Sequence, residues 1–151
     1  MINAAIVGIG WWGQKIVTAV QGKSERLCFI RGVSKEPDEV RDFTTRHGIR
    51  LSTELNDVLR DPDVRAVVLA TPHSLHTEQI IACAQAGKAV FCEKPLALKA
   101  ADAKRSVEAC QAAGVLLGIG TNKRFWPCMR DRKSTRLNSS HTDISRMPSS
   151  A

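Results

Sequence analysis

The sequence has no tyrosine, and aromatic residues make up only 5% of its 151 positions. No apolar run comes near the roughly 20 residues that a helix needs to cross a bilayer. The N-terminal segment also lacks the basic region that precedes the apolar stretch of a signal peptide. These absences predict a cytoplasmic protein that has no contact with a membrane.

Cysteine is present, but never in a pair of the C-x-x-C type. An odd number of cysteines scattered singly suits neither a disulfide framework nor a zinc site. The positions are Cys28, Cys83, Cys92, Cys110 and Cys128. We expect these side chains to be reduced and mostly buried among apolar neighbours, and we expect no metal site in the protein.

The formal net charge of +7 is the feature of the composition that suggests nucleic acid as a partner. Its placement argues against that function, because basic residues are interspersed with acidic ones, as in Arg41-Asp42 and Arg60-Asp61. Nucleic-acid binding requires a basic stripe that neutralises successive phosphates. We therefore expect no nucleic-acid partner.

The chain changes character at Asp131, after which it is polar, rich in serine and without apolar periodicity. Such a segment is typical of a disordered tail. Reverse translation gives a sharper hypothesis, since residues 131–141 and 145–151 match, in one reading frame, two segments of a common short-read sequencing adapter. We infer that residues 131–151 are translated adapter, and we leave them out of the fold prediction. Finding the same codons in the genome would contradict this hypothesis.

Short apolar runs alternate with longer stretches of helical period before that tail, which is the pattern of stacked βαβ units. The runs are continuously apolar, as expected of parallel strands that are covered on both faces. The predicted strands are Asn3 to Val7, Cys28 to Val33, Ala66 to Ala70, Ala89 to Cys92 and Val115 to Ile119. The predicted fold class is a doubly wound parallel α/β sheet.

Helical segments separate these strands, each with apolar residues at helical spacing or a high alanine content. They span residues 14–21, 38–46, 55–59, 75–86 and 99–113. Ser74 is predicted to cap the N-terminus of the fourth helix. Gly87 and Gly114 are predicted to end the fourth and fifth helices.

A glycine-rich turn joins the first strand to the first helix and matches G-x-G-x-x-G in the strand-turn-helix context that gives this motif its meaning. Gly8 permits the tight turn, Gly10 lets the main chain approach a pyrophosphate, and Gly13 lets the helix pack closely on the strand. The N–H groups of Trp11 and Trp12 would point at phosphate oxygens. Their indoles would pack beneath the cofactor or against a partner, and both alternatives remain open.

The residues that follow the second strand predict which dinucleotide binds. In dinucleotide-binding folds a position about 20 residues beyond the glycine turn contacts the adenosine ribose, and a carboxylate there selects NAD. Ser34 and Lys35 occupy that position here, and a hydroxyl and an ammonium suit the 2′-phosphate of NADP. NADP(H) is therefore expected in preference to NAD(H). Glu36 reaching the ribose, or Lys35 being a solvated turn residue, are the alternatives.

Polar residues also follow the strands that end at Ala70 and Cys92, where ligands of open α/β sheets bind. The first segment runs from Thr71 to His76, and the second is Glu93-Lys94-Pro95. Together with the glycine turn, these segments resemble in order and spacing the glucose-fructose oxidoreductase, inositol dehydrogenase and rhizopine catabolism family, often written Gfo/Idh/MocA. The resemblance covers residues 2 to about 130.

The resemblance implies a Rossmann-type NAD(P)-binding domain over residues 1–120, followed at 121–130 by the start of a connection to a second, α+β domain that this chain lacks. It implies hydride transfer between a nicotinamide cofactor and a sugar, cyclitol or related polyol, in a protein that forms homo-oligomers. The missing domain would supply substrate contacts and an acid/base histidine. A non-catalytic cofactor sensor or transcription regulator of the same superfamily is the alternative.

The resemblance also assigns residues. It places the cofactor turn on the three glycines and makes Lys94 a catalytic residue near the substrate hydroxyl. It places further cofactor contacts at Ala70, Thr71, Pro72, His73, His76, Glu93, Lys94 and Arg124. The family often has asparagine where this chain has His73, and both histidines, taken alone, would be interpreted as structural.

The chemistry of alcohol oxidation agrees with the role of Lys94. The reaction needs a hydride acceptor on one side of the carbon and a group that manages the hydroxyl proton on the other. A lysine at a strand end beside bound nicotinamide suits the second role. The alternative is a surface lysine before a turn proline.

Overall fold

The strands form one parallel sheet in a computed structural model, which describes residues 1–121. They are β1 (Ile2–Val7), β2 (Leu27–Val33), β3 (Arg50–Ser52), β4 (Ala66–Leu69), β5 (Ala89–Cys92) and β6 (Leu117–Ile119). Their order in the sheet is β3-β2-β1-β4-β5-β6, and each neighbouring pair is parallel. The predicted doubly wound fold of Rossmann type is confirmed.

Helices cover both faces of this sheet. They are α1 (Trp11–Val20), α2 (Pro37–Arg46), α3 (Leu55–Leu59), α4 (His76–Gln85) and α5 (Ala100–Ala112). Side chains of α1 and α2 pack on one face around Val17 and Val40, and those of α3, α4 and α5 pack on the other around Val58, Ile80 and Cys110. Burial on both faces explains why the strands are apolar throughout.

Two details of the sequence prediction are corrected. The strand β3 was not predicted, because it has only three residues and none of them is buried. Ser74 does not cap α4, since the chain makes a short 3-10 turn over His73–Leu75 and the helix begins at His76 without a side-chain cap. The predicted ends of α4 and α5 are confirmed, because Gly87 and Gly114 adopt φ of +69° and +65° just beyond them.

A buried lysine fixes the opposite end of the sheet, where β4 and β5 begin. Lys88 is only 9% exposed, and its Nζ donates hydrogen bonds to the carbonyl oxygens of Asp61 (2.8 Å) and Val64 (2.7 Å). The carboxylate of Asp61 in turn lies 3.6 Å from Arg31 and 3.4 Å from Arg50. This network joins the loop before β4 to β2, β3 and β5.

Residues 1–120 form one compact unit. Within the described residues, no helix is long and apolar enough to span a membrane. The predicted connection at 121–130, with Arg124 and Cys128, and the tail at 131–151 lie outside the described residues apart from Thr121.

Candidate functional site

The carboxyl ends of the strands meet along one edge of the sheet. Main-chain hydrogen bonds continue past the last strand residues, from Gly8 N to Val33 O (2.9 Å), from Ala70 N to Val7 O (2.8 Å) and from Glu93 N to Leu69 O (2.9 Å). The loops after β1, β2, β4 and β5 therefore start side by side. The junction of β1 and β4, where successive crossovers leave in opposite directions, is the place at which open α/β sheets bind ligands.

The glycine turn lies at that junction, and each glycine has a different steric environment. A Cβ on Gly8, whose φ is +88°, would lie 2.6 Å from the carbonyl oxygen of Ala70, and one on Gly13 would lie 2.0 Å from the carbonyl oxygen of Gly8. A Cβ on Gly10 would meet nothing within 4 Å. Gly8 and Gly13 are thus required by packing, whereas the space beside Gly10 is open for a ligand at the start of α1.

The two tryptophans of the turn are exposed. Trp11 is 71% exposed and Trp12 is 41% exposed, and their ring centroids are 5.6 Å apart. The ammonium of Lys15 lies 5.8 Å from the ring centroid of Trp11. Neither indole is buried in the core of residues 1–120, so their role in packing against a cofactor or a partner stays a prediction.

The residues predicted to contact the adenosine ribose lie at the end of β2, next to the end of β3. Ser34 donates its main-chain N–H to the carbonyl oxygen of Ser52 (3.1 Å), and its hydroxyl oxygen accepts from the N–H of Glu36 (3.2 Å). The ammonium of Lys35 is paired with the carboxylate of Glu54 at 3.4 Å. Both side chains of this pair are largely exposed, so the contact is open to displacement by a ligand.

The loop after β4 presents main-chain and hydroxyl groups to the same edge. The hydroxyl of Thr71 donates to Oε1 of Gln79 on α4 (2.6 Å). Pro72 and His73 are exposed. His73 lines a shallow cavity of about 170 Å³ with Glu78 and Lys99, on the side of the loop where α4 and α5 begin.

His76 is completely buried, unlike His73. Its Nδ1 lies 2.8 Å from the carbonyl oxygen of Pro95, and its Nε2 lies 3.0 Å from the carbonyl oxygen of Thr71. Both ring nitrogens thus contact main-chain oxygens, and no ring surface is left open to a cofactor. The ring lies between two loops of the site, and a contact of His76 with the cofactor stays a prediction.

The Glu93-Lys94-Pro95 segment forms the loop after β5, with a cis peptide bond between Lys94 and Pro95. A carboxylate oxygen of Glu93 accepts from the N–H of Lys94 (3.3 Å). A Cβ on Gly120 would lie 2.7 Å from the Glu93 carboxylate, so a glycine after β6 leaves room for that side chain. Lys94 is exposed, and no ion pair to it is formed by residues 1–121.

The buried cysteines of the core are unsuited to act as nucleophiles or metal ligands. Desolvation by burial raises the pKa of the Cys83 thiol and of the Cys92 thiol to about 12. Thiols with such pKa values stay protonated near neutral pH and are therefore poor nucleophiles and poor metal ligands. Among the described residues, no cluster of histidine, cysteine, aspartate or glutamate could hold a metal ion.

Sequence reasoning missed three residues that shape the site: Glu54, Gln79 and Gly120. Each acts on a predicted site residue from a different element, across the edge of the sheet. Gln79, three positions beyond His76 on one helix, could have been found from helical spacing. The contact of Glu54 depends on β3 lying beside β2, and the sequence pattern did not include β3. The contact of Gly120 depends on β5 and β6 being neighbours, which the pattern does not specify.

Comparison with known proteins is consistent with this geometry. Residues 2–121 match the family GFO_IDH_MocA, described as an oxidoreductase family with an NAD-binding Rossmann fold. The chain is 39% identical over 125 residues to myo-inositol 2-dehydrogenase of Thermotoga maritima, covering 82% of this chain and 37% of that protein. It is 34% identical over 125 residues to 1,5-anhydro-D-fructose reductase of Ensifer adhaerens, covering 82% of this chain and 36% of that protein.

A solved structure agrees over nearly the whole chain. The WlbA dehydrogenase of Bordetella pertussis, in complex with NADH and UDP-GlcNAcA, superposes with a TM-score of 0.85 at 31% identity. The match covers 91% of this chain and 42% of that one. The chain thus spans well under half the length of each of these three proteins. It belongs to the Gfo/Idh/MocA oxidoreductase family, and its residues 2–121 are the NAD-binding Rossmann domain of that family.

Proposed function

We propose that this chain is the cofactor-binding part of an NAD(P)-dependent oxidoreductase that acts on a CH–OH group of a sugar, cyclitol or related polyol. The observation that carries the proposal is the glycine turn at the junction of β1 and β4, which is closely packed at Gly8 and Gly13 and open at Gly10. The substrate class is supported by the names of the relatives, an inositol dehydrogenase and an anhydrofructose reductase.

Different residues along this edge would bind different parts of the cofactor. The N–H groups of Trp11 and Trp12, at the start of α1, would bind the pyrophosphate, where the helix dipole favours negative charge. Ser34 and Lys35 would bind the adenosine ribose, and Ala70, Thr71 and Pro72 would lie on the nicotinamide side. The bound nicotinamide would supply hydride transfer.

Lys94 would orient the substrate oxygen and manage its proton. Its side chain is exposed at the end of β5, one strand away from the loop that carries Thr71. A sensor that does not turn over substrate needs no such lysine, which favours the enzyme over a regulatory protein. In the intact protein, Lys94→Met should abolish turnover and leave nucleotide affinity almost unchanged.

Preference for NADP(H) over NAD(H) rests on the end of β2. No carboxylate stands at Ser34 or Lys35 to repel a 2′-phosphate, and the ammonium of Lys35 could pair with it. Glu54 competes for that ammonium, so the preference should be small. Cytoplasmic location, homo-oligomer formation and the lack of a nucleic-acid partner stay predictions.

Two variants, one just before α1 and one on α1, test nucleotide binding by the 151-residue chain. Gly10→Val should weaken binding of NADH and NADPH by at least about tenfold, because its side chain would fill the space that the pyrophosphate needs. Its thermal stability should stay near that of the wild type, since nothing lies within 4 Å of the added Cβ. Titration calorimetry and thermal melts provide both measurements.

Ala19→Val is the matched control. Ala19 is exposed on the same helix and lies away from the turn, so this variant should bind like the wild type. Equal affinity of Gly10→Val and wild type for both nucleotides would contradict the proposed site, as would the absence of nucleotide binding by the wild type.

A further inference from the structure

The completely buried His76 joins the two loops that would face the nicotinamide end of the cofactor. The loop after β4 supplies the carbonyl oxygen of Thr71, at 3.0 Å, and the loop after β5 supplies that of Pro95, at 2.8 Å. These loops are far apart in sequence and leave neighbouring strands. The ring therefore fixes the distance between the Thr71 loop and the turn that carries Lys94.

The other contacts of the Thr71 loop show why this link matters. The hydroxyl of Thr71 is held by Gln79, and the main chain of the loop is tied to β1 through the N–H of Ala70. Lys94 and Pro95, by contrast, are exposed. The described main-chain hydrogen bonds tie the loop after β5 down at Glu93, one residue before Lys94. His76 is the side chain that binds this loop directly at Pro95.

We propose that His76 is a positioning residue, which holds the Thr71 loop and the Lys94-Pro95 turn at the spacing that the nicotinamide half of the cofactor requires. It acts through the two carbonyl oxygens and does not touch the cofactor. The inference rests on the proposed function, because it assigns the nicotinamide to these two loops. It replaces a direct cofactor contact with an indirect role.

The geometry of the ring suggests variants that each keep one half of the link. The side-chain nitrogen of asparagine occupies nearly the position of Nδ1, so His76→Asn places an N–H donor near the carbonyl oxygen of Pro95. The side-chain nitrogen of glutamine occupies nearly the position of Nε2, so His76→Gln places an N–H donor near the carbonyl oxygen of Thr71. His76→Leu fills a similar volume and has no polar atom for either carbonyl oxygen.

The test uses the 151-residue chain and compares ligands that differ only at the nicotinamide end. Affinities are measured by calorimetry for NADH against ADP-ribose, and for NADPH against 2′-phospho-ADP-ribose. His76→Leu should bind the dinucleotides about tenfold more weakly, the size expected for one buried hydrogen bond lost, since a neutral imidazole donates from only one of its two nitrogens. The affinity of His76→Leu for ADP-ribose and 2′-phospho-ADP-ribose should stay within about threefold of the wild type. His76→Asn and His76→Gln should each recover part of the dinucleotide affinity that His76→Leu loses.

Cys83→Ala is the matched control. Cys83 is also completely buried on α4, but within the described residues it makes no hydrogen bond to the loop after β4 or the loop after β5. This variant should change neither the affinity for NADH relative to ADP-ribose nor the affinity for NADPH relative to 2′-phospho-ADP-ribose. If His76→Leu does not fold, as judged by circular dichroism, the asparagine and glutamine variants carry the same comparison. Each should then show a weaker loss of dinucleotide affinity with ribose-ligand affinity retained.

The outcomes separate the two proposals. If the variants lose affinity equally for the dinucleotides and for the two ADP-ribose ligands, His76 has only a structural role. That result would overturn the inference and leave the proposed function in place. Unchanged binding of every ligand by the folded variants would also overturn it while leaving the proposed function in place. A wild-type chain that binds none of the four ligands would overturn the proposed function, and the inference with it.

Discussion

At the scale of single residues, the ion pair between Lys35 and Glu54 sets the charge at the end of β2, where we propose that the adenosine ribose binds. The ammonium and the carboxylate are 3.4 Å apart, and both are largely exposed. Exposed pairs of this kind contribute little to stability, about 0 to 1 kcal/mol. Under the proposed function this pair matters for recognition, because a bound 2′-phosphate would compete with Glu54 for the ammonium.

We expect opposite effects from substitutions at the two members of the pair. Glu54→Gln should strengthen NADPH binding relative to NADH by several-fold, because it frees Lys35 and removes a negative charge that repels phosphate. Lys35→Asp should narrow or reverse a preference for NADPH. Calorimetric titration of both nucleotides into the 151-residue chain measures these ratios.

Thr53→Gln is a suitable control, since Thr53 is an exposed neighbour of Glu54 with no charge to remove. An unchanged ratio of affinities in Glu54→Gln would show that the carboxylate does not face the nucleotide. A preference of the wild-type chain for NADH would instead indicate that Glu36 contacts the ribose.

The buried thiols predict a dependence of stability on pH. Burial raises the pKa of Cys83 to about 12 in the folded chain, from 9.0 for the free group. Above pH 9.0 the unfolded chain loses the thiol proton that the folded chain keeps, so the free energy of unfolding should fall as the pH rises toward 12. Urea unfolding of the wild type and Cys83→Ala from pH 8 upward measures this dependence. The free energy of unfolding should fall less steeply with pH in the variant. Parallel slopes would contradict the prediction.

At the scale of elements, Lys88 is the residue that fastens the start of β5 to the loop before β4. Its Nζ donates to two carbonyl oxygens and is almost fully enclosed. Lys88→Met would keep the aliphatic stem and leave both oxygens without that donor. The expected cost is about 1 to 3 kcal/mol in the free energy of unfolding, measured by urea denaturation.

Lys104→Met provides the comparison for that experiment. Lys104 is exposed on α5 and, within residues 1–121, pairs only with Glu108 one turn away, at 3.6 Å. Its loss should change the free energy of unfolding by no more than about 0.5 kcal/mol. Equal effects of the two substitutions would show that the buried contacts of Lys88 add nothing to stability.

Elements that have a long apolar pattern were predictable from the sequence, and contacts between elements were not. The five predicted strands and five helices are present, because burial on both faces of a parallel sheet requires continuous apolar runs and amphipathic helices. The strand β3 has no buried residue to signal it. The pairing of Lys35 with Glu54 follows from β2 and β3 being neighbours, so it could not be predicted without that strand.

The site shows the same division. The glycine turn was predictable because a local motif specifies its geometry, in which Gly8 and Gly13 are closely packed and the space beside Gly10 is open. The position of His76 was not, because it depends on the loops after β4 and β5 meeting across the end of the sheet. A histidine near a strand end looks the same in sequence whether it faces a ligand or two carbonyl oxygens.

At the scale of the whole molecule, we expect the 151-residue chain to bind nucleotide without catalysing turnover. It spans 36% and 37% of the two relatives named above, so most of their length has no counterpart here. Positioning a substrate against a catalytic group lowers a barrier by roughly 7 to 11 kcal/mol, which Lys94 alone cannot supply. Assays with NAD⁺ and NADP⁺ on a panel of cyclitols and sugars should show no turnover, and robust turnover would place the whole substrate site within this chain.

The order of the strands also has a consequence for inheritance. Codons for Lys35 and Glu54 precede those for Asp61 and Val64, and codons for Thr71 and Lys94 follow them, so the residues proposed for the adenosine side and for the nicotinamide side occupy separate stretches of the gene. Among the residues that the structure describes, Lys88 reaches across the boundary to main-chain oxygens, which any amino acid supplies. At this contact, a recombination event between the two stretches would join segments from different ancestors without requiring matched side chains.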